Sequence, residues 1–401
     1  MSIAIAYEYP ESDELGIKLT AQEMGVDLVY LPFRKVAVFV NSHGFSYKSR
    51  VTDYREIIDN VNAVINRMQS KNRRLYAASI FEAIGKYVLN PLSVENLCFS
   101  KFRSLVEFWR SGIRIPESVF VPCDSYDKTL TGITIRNEEI IVELIQKALR
   151  NGSIVLKPDG GTHGMGVRLA KDRDALLEFI KTTDPSIVNP IGFVAQEFIE
   201  KWFYDLRIIV FKERGQTPYC YPNALGRASF KDFRTNTFLG NMVFDVNLPL
   251  EVRSAAIKCG AAVGKECESW VLGLDAMLNV GEDRFVDDEY IKSEFDKLNP
   301  AFEVVQKIKR DEKMKNRDFN RWSKRVEEAY QDYKNVAAYG HVKDIIDESV
   351  ERGKNEVMFH EANACPDFWE QTRNVPGINV AIPLIKCAQS VEGWSAYQRV
   401  K

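Results

Sequence analysis

The feature that most constrains this chain is a glycine-rich segment, Lys157 to Gly166, whose sequence is KPDGGTHGMG. It directly follows the apolar run Ser153-Ile-Val-Leu, which is typical of a buried strand. A lysine ammonium followed by exposed backbone N–H groups can hold a polyphosphate. The segment has Val167 where a Walker loop needs its lysine, and Leu169 where a dinucleotide-binding loop needs its third glycine. Considered alone, it predicts either an unusual phosphate loop or a plain glycine-rich hairpin turn.

The composition excludes several classes of protein. The chain has 401 residues, 45% hydrophobic and 27% charged, with a formal net charge of -2. These values predict a globular protein of two or three domains, with no nucleic-acid partner and no membrane partner. The seven cysteines form no CxxC pair, so we expect reduced thiols and a cytoplasmic location rather than disulfides or a zinc site.

Apolar runs and helical patterns indicate how the chain is organised. They alternate over the first hundred residues, which predicts an open α/β domain whose first strand is Ile3–Tyr7. A second unit begins near Lys101, and longer strands follow from Phe193 onward. Residues from about 281 to 354 are dense in charges of both signs and contain no predicted strand.

Within that charged segment, apolar residues recur at steps of three and four, which predicts a helix with one apolar face. The members of this stripe are Phe319, Trp322, Val326, Tyr330, Tyr333 and Ala337. We interpret the stripe as the packing face of an internal helical hairpin. A homodimer seam and a lid over the substrate are the alternatives.

Two motifs after the glycine-rich segment suit a nucleotide. The strand-end sequence Gln196-Glu-Phe-Ile199 can present backbone groups to an adenine edge, although an ordinary edge strand has the same pattern. Arg227, Arg234 and Asn236 follow in GRASFKDFRTN. Two arginines and an amide suit a transferring phosphoryl group and an acyl phosphate, and a solvated basic loop is the alternative.

Three oxygen-bearing side chains suggest a metal site. Asp275 lies inside the apolar run VLGLDAML, and a buried carboxylate is costly unless it is paired or holds a cation. Glu361 and Asn363 in HEANACP share one face of an extended segment, because side chains alternate along a strand. Such hard oxygen ligands suit Mg²⁺ bridging nucleotide phosphates, and not zinc or copper. A buried ion pair is the alternative for Asp275.

Taken in order, these motifs resemble an ATP-grasp ligase of the RimK-like and glutathione-synthetase-like kind. The series is Lys101, KPDGGTHGMGV, QEFIE, DLR, FRTN, GLDAM, HEANACP and Pro376-Gly-Ile-Asn-Val-Ala381. The resemblance implies an ATP-grasp fold, α/β with α+β parts. It comprises an N-terminal open α/β lead-in domain over residues 1–95, a central small α+β domain over 96–195, and a C-terminal antiparallel-sheet domain over 196–401 with a helical insertion at about 281–354.

The resemblance also implies roles for individual residues. Lys101 and Lys157 would contact the ATP phosphates, and a loop would close over them that includes Gly160, Gly161, Thr162, Gly164 and Gly166. The adenine pocket would be lined by Gln196, Glu197, Phe198 and Ile199. One or two Mg²⁺ ions, for which Mn²⁺ can substitute, would be bound by Asp275, Glu361 and Asn363. The γ-phosphate and the acyl phosphate would be stabilised by Arg207 and Arg234, with Asn236 nearby.

The chain departs from that family in three places. The segment Asn236–Asn241 has one glycine where such ligases usually show a pair, and Asp367 replaces the usual glycine after Pro366. The charged insertion is absent from compact members. Because the first of these loops faces the substrate in the family, the substrate is left open.

The implied activity is an ATP-dependent carboxylate–amine ligase that forms an amide or peptide bond through an acyl phosphate and releases ADP and phosphate. The expected substrates are an amino acid, a peptide or a cofactor tail, with glutamate addition and peptide side-chain crosslinking as the two classes to test. His163 and His360 are candidate bases for the amine, with core packing or loop polarity as the alternative for each. An ATP-grasp kinase acting on a hydroxyl and a nucleotide-binding scaffold protein are the alternative functions.

Overall fold

The computed structural model describes residues 2–42, 44–49, 52–121, 126–128, 134–136, 138–150, 152–161, 164–182, 192–235, 240–281 and 284–391. Within these ranges the strands form three larger sheets and two separate hairpins. No helix in the same ranges combines the length and the apolar character needed to cross a bilayer.

The first sheet is parallel and lies in the N-terminal part of the chain, with strand order β2-β1-β5-β6. Its interior is aliphatic, with Ile3, Ile5 and Ile65 fully buried, as expected for a parallel sheet covered on both faces. The strands of this part are β1 (Ser2–Tyr7), β2 (Leu28–Pro32), the hairpin β3 (Ala37–Asn41) and β4 (Gly44–Lys48), β5 (Val61–Arg67) and β6 (Tyr87–Leu89). The helices are α1 (Ser12–Glu23), α2 (Arg55–Asp59), α3 (Lys71–Ala83), α4 (Leu92–Phe99) and α5 (Lys101–Arg110).

The second sheet is antiparallel and carries the glycine-rich loop, with strand order β11-β10-β12-β7. Two helices cover it and form a separate apolar cluster around Leu156, Leu176 and Ile145. Its strands are β7 (Ser118–Val121), β10 (Ile154–Pro158), β11 (Arg168–Ala170) and β12 (Phe193–Glu197), and a hairpin joins β8 (Tyr126–Lys128) to β9 (Thr134–Arg136). The covering helices are α6 (Glu138–Ala148) and α7 (Arg173–Thr182).

The third sheet is antiparallel, with strand order β16-β15-β13-β17-β18, and β14 pairs with β13. Every residue of β17 is buried, which makes this strand the centre of the largest core. The strands are β13 (Tyr204–Lys212), β14 (Tyr219–Cys220), β15 (Asn223–Ala228), β16 (Met242–Asn247), β17 (Trp270–Leu278) and β18 (Val357–Asn363). The helices α8 (Leu250–Gly264) and α13 (Ala381–Gln389) belong to the same part of the chain.

The charged insertion is helical between β17 and β18. It consists of α9 (Asp288–Lys309), α10 (Glu312–Arg317), α11 (Phe319–Asn335) and α12 (Ala337–Arg352). Aspartate side chains cap three of these helices, because their carboxylates accept hydrogen bonds from first-turn N–H groups. The apolar stripe on α11 is buried at Trp322, Val326, Tyr330 and Tyr333, and the Tyr333 hydroxyl donates to the carbonyl of Val243 on β16 at 3.2 Å. The internal packing face is therefore confirmed, except that Ala337 begins α12 and is exposed.

The predicted fold class is confirmed, since parallel and antiparallel sheets occur with helices in the predicted regions. The domain boundaries remain a prediction. The sequence analysis did not identify α1 or β15.

Candidate active site

Most of the residues predicted to form the site line one cavity of about 820 Å³, which all three larger sheets border. The first sheet contributes Arg67, the second Lys157 and the third Arg207. From Glu361 the lining continues along the chain to Gln371, where α1 and the corner between α9 and α10 complete the wall. A volume of this size is in the range of sites for small-molecule ligands.

Two lysines lie close to the carboxylate of Glu361. Lys101 is the first residue of α5, and its Nζ lies 3.5 Å from Glu361 Oε1 and donates to the carbonyl of Gly161 at 2.5 Å. Lys157 and Gln196 are diagonal neighbours on β10 and β12, and Lys157 Nζ donates to Gln196 Oε1 at 2.6 Å. Burial lowers the pKa of Lys157 to about 8, although the charge of Glu361 opposes this shift. A nearby anionic ligand would therefore favour the charged form of Lys157 and offset the cost of its desolvation.

The glycine-rich loop requires glycine for two reasons at Gly166. Its φ is +73°, and a Cβ there would lie 2.8 Å from Pro158 Cγ, so a side chain would be both strained and obstructed. Gly161 and Gly164 line the cavity, whereas Gly160 and Gly166 do not. The loop is tied to α5 because Asp159 Oδ1 accepts a hydrogen bond from the N–H of Phe102 at 2.9 Å. Thr162 and His163 lie outside the described residues.

The segment predicted to meet adenine also lines the cavity. Gln196, Glu197, Phe198 and Ile199 all contribute. The N–H of Glu197 donates to the carbonyl of Glu117 and that of Phe198 to the carbonyl of Ser153, each at 2.9 Å. Neither N–H is therefore free to donate to an adenine. Of the backbone contacts predicted for this segment, those from these two N–H groups are excluded. Apolar contacts for a ring would come from Val155, Leu225, Phe233 and Met277, which line the same cavity.

Arg207, Asp275 and Glu361 form one row across the third sheet. Arg207 on β13 is directly opposite Asp275 on β17, which is directly opposite Glu361 on β18. Arg207 donates two hydrogen bonds to Asp275, from Nε to Oδ1 at 2.7 Å and from Nη2 to Oδ2 at 2.9 Å. Burial favours a higher pKa for Asp275, but Arg207 and then Arg227, whose Nη2 lies 3.3 Å from Oδ1, hold that pKa well below its usual range. Asp275 therefore forms the buried ion pair that was the alternative to a metal site.

A β-bulge shapes the end of β18. Asp275 pairs with Glu361 and Ala276 with Phe359, which leaves His360 as the extra residue. Burial and then Lys157 lower the pKa of His360 to about 4, so its ring is neutral and weakly basic near pH 7. The buried His360 Nδ1 and Asn363 Nδ2 have no hydrogen-bond partner among the described residues. The environment of His360 argues against its predicted role as a base.

Arg234 lines the cavity at the edge nearest the glycine-rich loop. Its guanidinium is held by Asp232, with Nη2 to Oδ2 at 2.6 Å, and Nη1 reaches the carbonyl of Gly164 at 3.5 Å. Arg234 therefore touches the loop that is predicted to cover the phosphates. Asn236 lies outside the described residues.

Comparison with known proteins agrees with the resemblance found in the sequence. Residues 126–288 match the model of the RimK-like ATP-grasp domain. The chain is 23% identical over 276 residues to the alpha-aminoadipate–LysW ligase LysX of Sulfurisphaera tokodaii, covering 69% of this chain and 84% of the relative. It is 27% identical to the coenzyme gamma-F420-2:alpha-L-glutamate ligase of Methanocaldococcus jannaschii, over 49% of this chain and 59% of the relative. The chain therefore resembles the RimK-like ATP-grasp ligases, and the family model covers residues 126–288 of it.

A solved structure agrees with this assignment at the level of the fold. The ligase resembles the ATP-grasp ligase PsnB in complex with a phosphomimetic variant of its minimal precursor, Mg and ADP. The TM-score is 0.51 at 12% identity, over 96% of this chain and 97% of PsnB. The sequence relatives and the family model, and not this likeness of fold, identify the protein as an enzyme, an ATP-grasp carbon–nitrogen ligase.

Among the predicted metal ligands of this ligase, Glu361 and Asn363 fit a bound Mg²⁺ better than Asp275 does. The orphaned amide of Asn363 and the carboxylate of Glu361, whose described contact is Lys101, lie on one strand and offer hard oxygen ligands. Exchanging the amide oxygen and nitrogen of Asn363 is within the ordinary ambiguity of amide assignment. Asp275 fits only after one arginine contact is released. In the part of the chain that the structure describes, no three His, Cys, Asp or Glu side chains form a metal cluster. A site with three protein ligands would therefore need the side-chain oxygen of Asn363.

The sequence reading missed several charged residues of the site. Lys71 begins α3 and lines the cavity, and burial followed by repulsion from Lys101 lowers its pKa to about 8. Lys201 donates to Thr235 Oγ1 at 2.6 Å and lies 3.4 Å from Asp205 Oδ2. The sequence signal for Lys71 was its position directly after Ser70, because serine is a favourable N-cap and so predicts that a helix begins at Lys71. Nothing in the sequence indicates that Lys71 reaches Lys101.

Proposed function

We propose that this ligase joins a carboxylate to an amine through an acyl phosphate and releases ADP and phosphate. The observation that carries the proposal is that Lys101 and Lys157 lie in the same cavity as the Arg207–Asp275–Glu361 row. Such a site supplies charge stabilisation and positioning, which are what phosphoryl transfer requires. The names of the relatives, a LysW ligase and a glutamate ligase, agree with amide formation.

The first step activates the carboxylate. A carboxylate oxygen of the substrate attacks the γ-phosphorus of ATP, the bond to the bridging oxygen breaks, and ADP leaves. Lys101 and Lys157 would hold phosphate oxygens, and Arg207 would stabilise the charge of the transferring group. When bound by Glu361 and Asn363, Mg²⁺ would offset negative charge on the phosphates.

The second step forms the amide. The amine first releases its extra proton to solvent, and its lone pair then attacks the acyl carbon while the C–O bond to phosphate breaks. Inorganic phosphate leaves with the electron pair and takes up the second proton that the nitrogen loses. Arg234 and Asn236 are proposed to stabilise the departing group, and Arg234 already contacts the loop at Gly164. The loop would exclude water, which would otherwise hydrolyse the acyl phosphate.

The proposed substrates are an amino acid, a peptide or a cofactor tail. The experiment is an incubation of the full chain with ATP, Mg²⁺ and pairs of candidate acids and amines, followed by assay of ADP and mass spectrometry of the products. Amide product and ADP should appear only when both the acid and the amine are present. ADP without an amide contradicts the proposal, and a product that keeps its phosphate would identify a kinase.

A further inference from the structure

One part of the cavity wall is built from three elements that differ widely in sequence position. They are the start of α1, the segment from Asp367 to Gln371, and the insertion. Trp369 joins all three, because its Nε1 donates to Ser323 on α11 at 3.0 Å and its N–H donates to Asp13 on α1 at 2.8 Å. The insertion therefore supports the wall of the site.

Most charged groups of this wall are paired with one another. Arg67 uses its guanidinium on Asp13 Oδ2 at 2.9 Å, Glu14 Oε1 at 3.2 Å and the carbonyl of Pro366 at 3.2 Å. Lys309 of α9 lies 3.0 Å from Glu370. Lys315 of α10 lies 3.3 Å from Glu11 and 2.7 Å from Glu312.

Asp367 differs from the other carboxylates on this wall. It is exposed, it lines the cavity, and no hydrogen bond or ion pair joins its side chain to the described residues. Its charge nevertheless acts on Asp13, Glu14, Arg67, Arg207 and Lys309, which places it between the reaction centre and the insertion. Arg310 at the end of α9 is also exposed and lines the cavity. It belongs to the insertion, however, whereas Asp367 lies only four residues after the predicted metal ligand Asn363.

The backbone around Asp367 is held on both sides. Arg67 fixes the preceding carbonyl of Pro366, and Asp13 Oδ1 accepts the following N–H groups of Phe368 at 3.1 Å and Trp369 at 2.8 Å. Phe368 and Trp369 are themselves buried. An unpaired carboxylate is thus presented to the cavity from a rigid support, which is the arrangement of a preorganised binding group.

We propose that Asp367 is the residue that recognises the amine substrate, by accepting hydrogen bonds from its ammonium group before the amide is formed. This inference rests on the proposed ligase function, because a ligase needs an amine beside its activated carboxylate. A carboxylate attracts a cation and strengthens the hydrogen bonds that it accepts. The amine substrate is therefore one that enters the site protonated, such as the α-ammonium group of an amino acid or of a peptide.

The test measures binding to the full chain loaded with Mg²⁺ and a nonhydrolysable ATP analogue. The probes are the standard amino acids and short peptides, each compared with its N-acetyl derivative, which cannot carry the ammonium charge. Wild-type protein should bind at least one free amine and not its N-acetyl form. Asp367→Asn should weaken that binding about tenfold or more, Asp367→Glu should retain more of it, and the affinity for the ATP analogue should not change.

Asp332→Asn is the matched control, because Asp332 is an exposed aspartate on α11 outside the cavity. Equal binding of free and N-acetylated probes by the wild type, or unchanged binding in Asp367→Asn, overturns the inference. If amide product forms at the wild-type rate in Asp367→Asn, the ligase function stands and the role of Asp367 is wrong. If no pair of substrates gives an amide while ammonium binding depends on Asp367, the ligase proposal fails and this site stands.

Discussion

At the scale of single residues, two carboxylates of the predicted metal set lie in opposite environments. Asp275 is 4% exposed and carries two arginines, whereas the side chain of Glu361 is 19% exposed and has Lys101 at 3.5 Å. Removing one partner of a buried ion pair leaves an uncompensated charge, and this cost is smaller for a longer pair whose carboxylate keeps some contact with solvent. The two carboxylates should therefore respond differently to the same neutral substitution.

We expect Asp275→Asn to lower the free energy of unfolding by about 3–5 kcal/mol, because Arg207 and Arg227 lose their shared partner. Glu361→Gln should lower it by less than Asp275→Asn does and should still abolish ligase turnover. Chemical denaturation and ADP release on the same preparations check both values. Full turnover in Glu361→Gln would contradict its role in the site.

The lowered pKa of Lys157 gives the binding of ATP a pH dependence. The folded pKa of about 8 lies below the usual 10.5, so the ammonium that would hold phosphate is lost as the pH rises through about 8. The affinity for a nonhydrolysable ATP analogue should therefore fall above that pH, with uptake of protons on binding. Lys157→Met should lose affinity by about 1.5–3 kcal/mol at neutral pH.

Titration calorimetry in buffers of different ionisation enthalpy measures this proton uptake. Lys147→Met is the matched control, because Lys147 is an exposed lysine on α6 away from the cavity. An affinity that stays constant or rises from neutral to alkaline pH would show that Lys157 does not bind phosphate as an ammonium.

At the scale of elements, two sequence departures prove to be one structural unit. Trp369, in the segment that departs from the family after Pro366, packs against Phe319 of the insertion, with ring centroids 5.8 Å apart. On its other side it fills the space over Gly16 of α1, where a Cβ would lie 2.0 Å from Trp369 Cε3. The insertion, the aromatic segment and α1 therefore depend on one another.

We expect Gly16→Ala to destabilise the protein by about 1–3 kcal/mol, because the added methyl group displaces Trp369. Gly340→Ala on α12 is the matched control, since nothing lies within 4 Å of its Cβ position. There the higher helix propensity of alanine should stabilise by about 0.5–1 kcal/mol. Thermal unfolding of both variants checks the contrast, and destabilisation of equal size in the two would show that Trp369 is not the cause.

How far the sequence predicts an element depends on how local its signal is. The strand that leads into Lys157 and the alternation of Glu361 with Asn363 follow from short-range patterns, and the structure has both. Helix α1 has weak amphipathic character and buries Asp13 and Glu14, so its core face carries charge and was missed. The partners of these carboxylates, Arg67 and the N–H groups after Pro366, are set by tertiary packing, which no local pattern encodes.

At the scale of the whole molecule, the cavity lies where the three larger sheets and the insertion meet. Asn90, just after β6, joins two of these parts, because its side-chain amide donates to the carbonyls of Val271 at 2.7 Å and Ala364 at 2.6 Å. A ligand in the cavity would contact all of them at once. Binding should therefore be coupled to the stability of the entire chain rather than to that of one sheet.

We expect a nonhydrolysable ATP analogue with Mg²⁺ to raise the free energy of unfolding by about 2.7 kcal/mol at a concentration of 100 times its dissociation constant. Hydrogen exchange should slow first in the glycine-rich loop, β12 and β18, which border the lysines. Protection of α9, α10 and the segment from Asp367 to Gln371 should increase only when the amine substrate is added as well, because that wall faces Asp367. Protection of the insertion by the nucleotide analogue alone would mean that this wall belongs to the nucleotide site, and the division of the cavity into nucleotide and amine regions would be wrong.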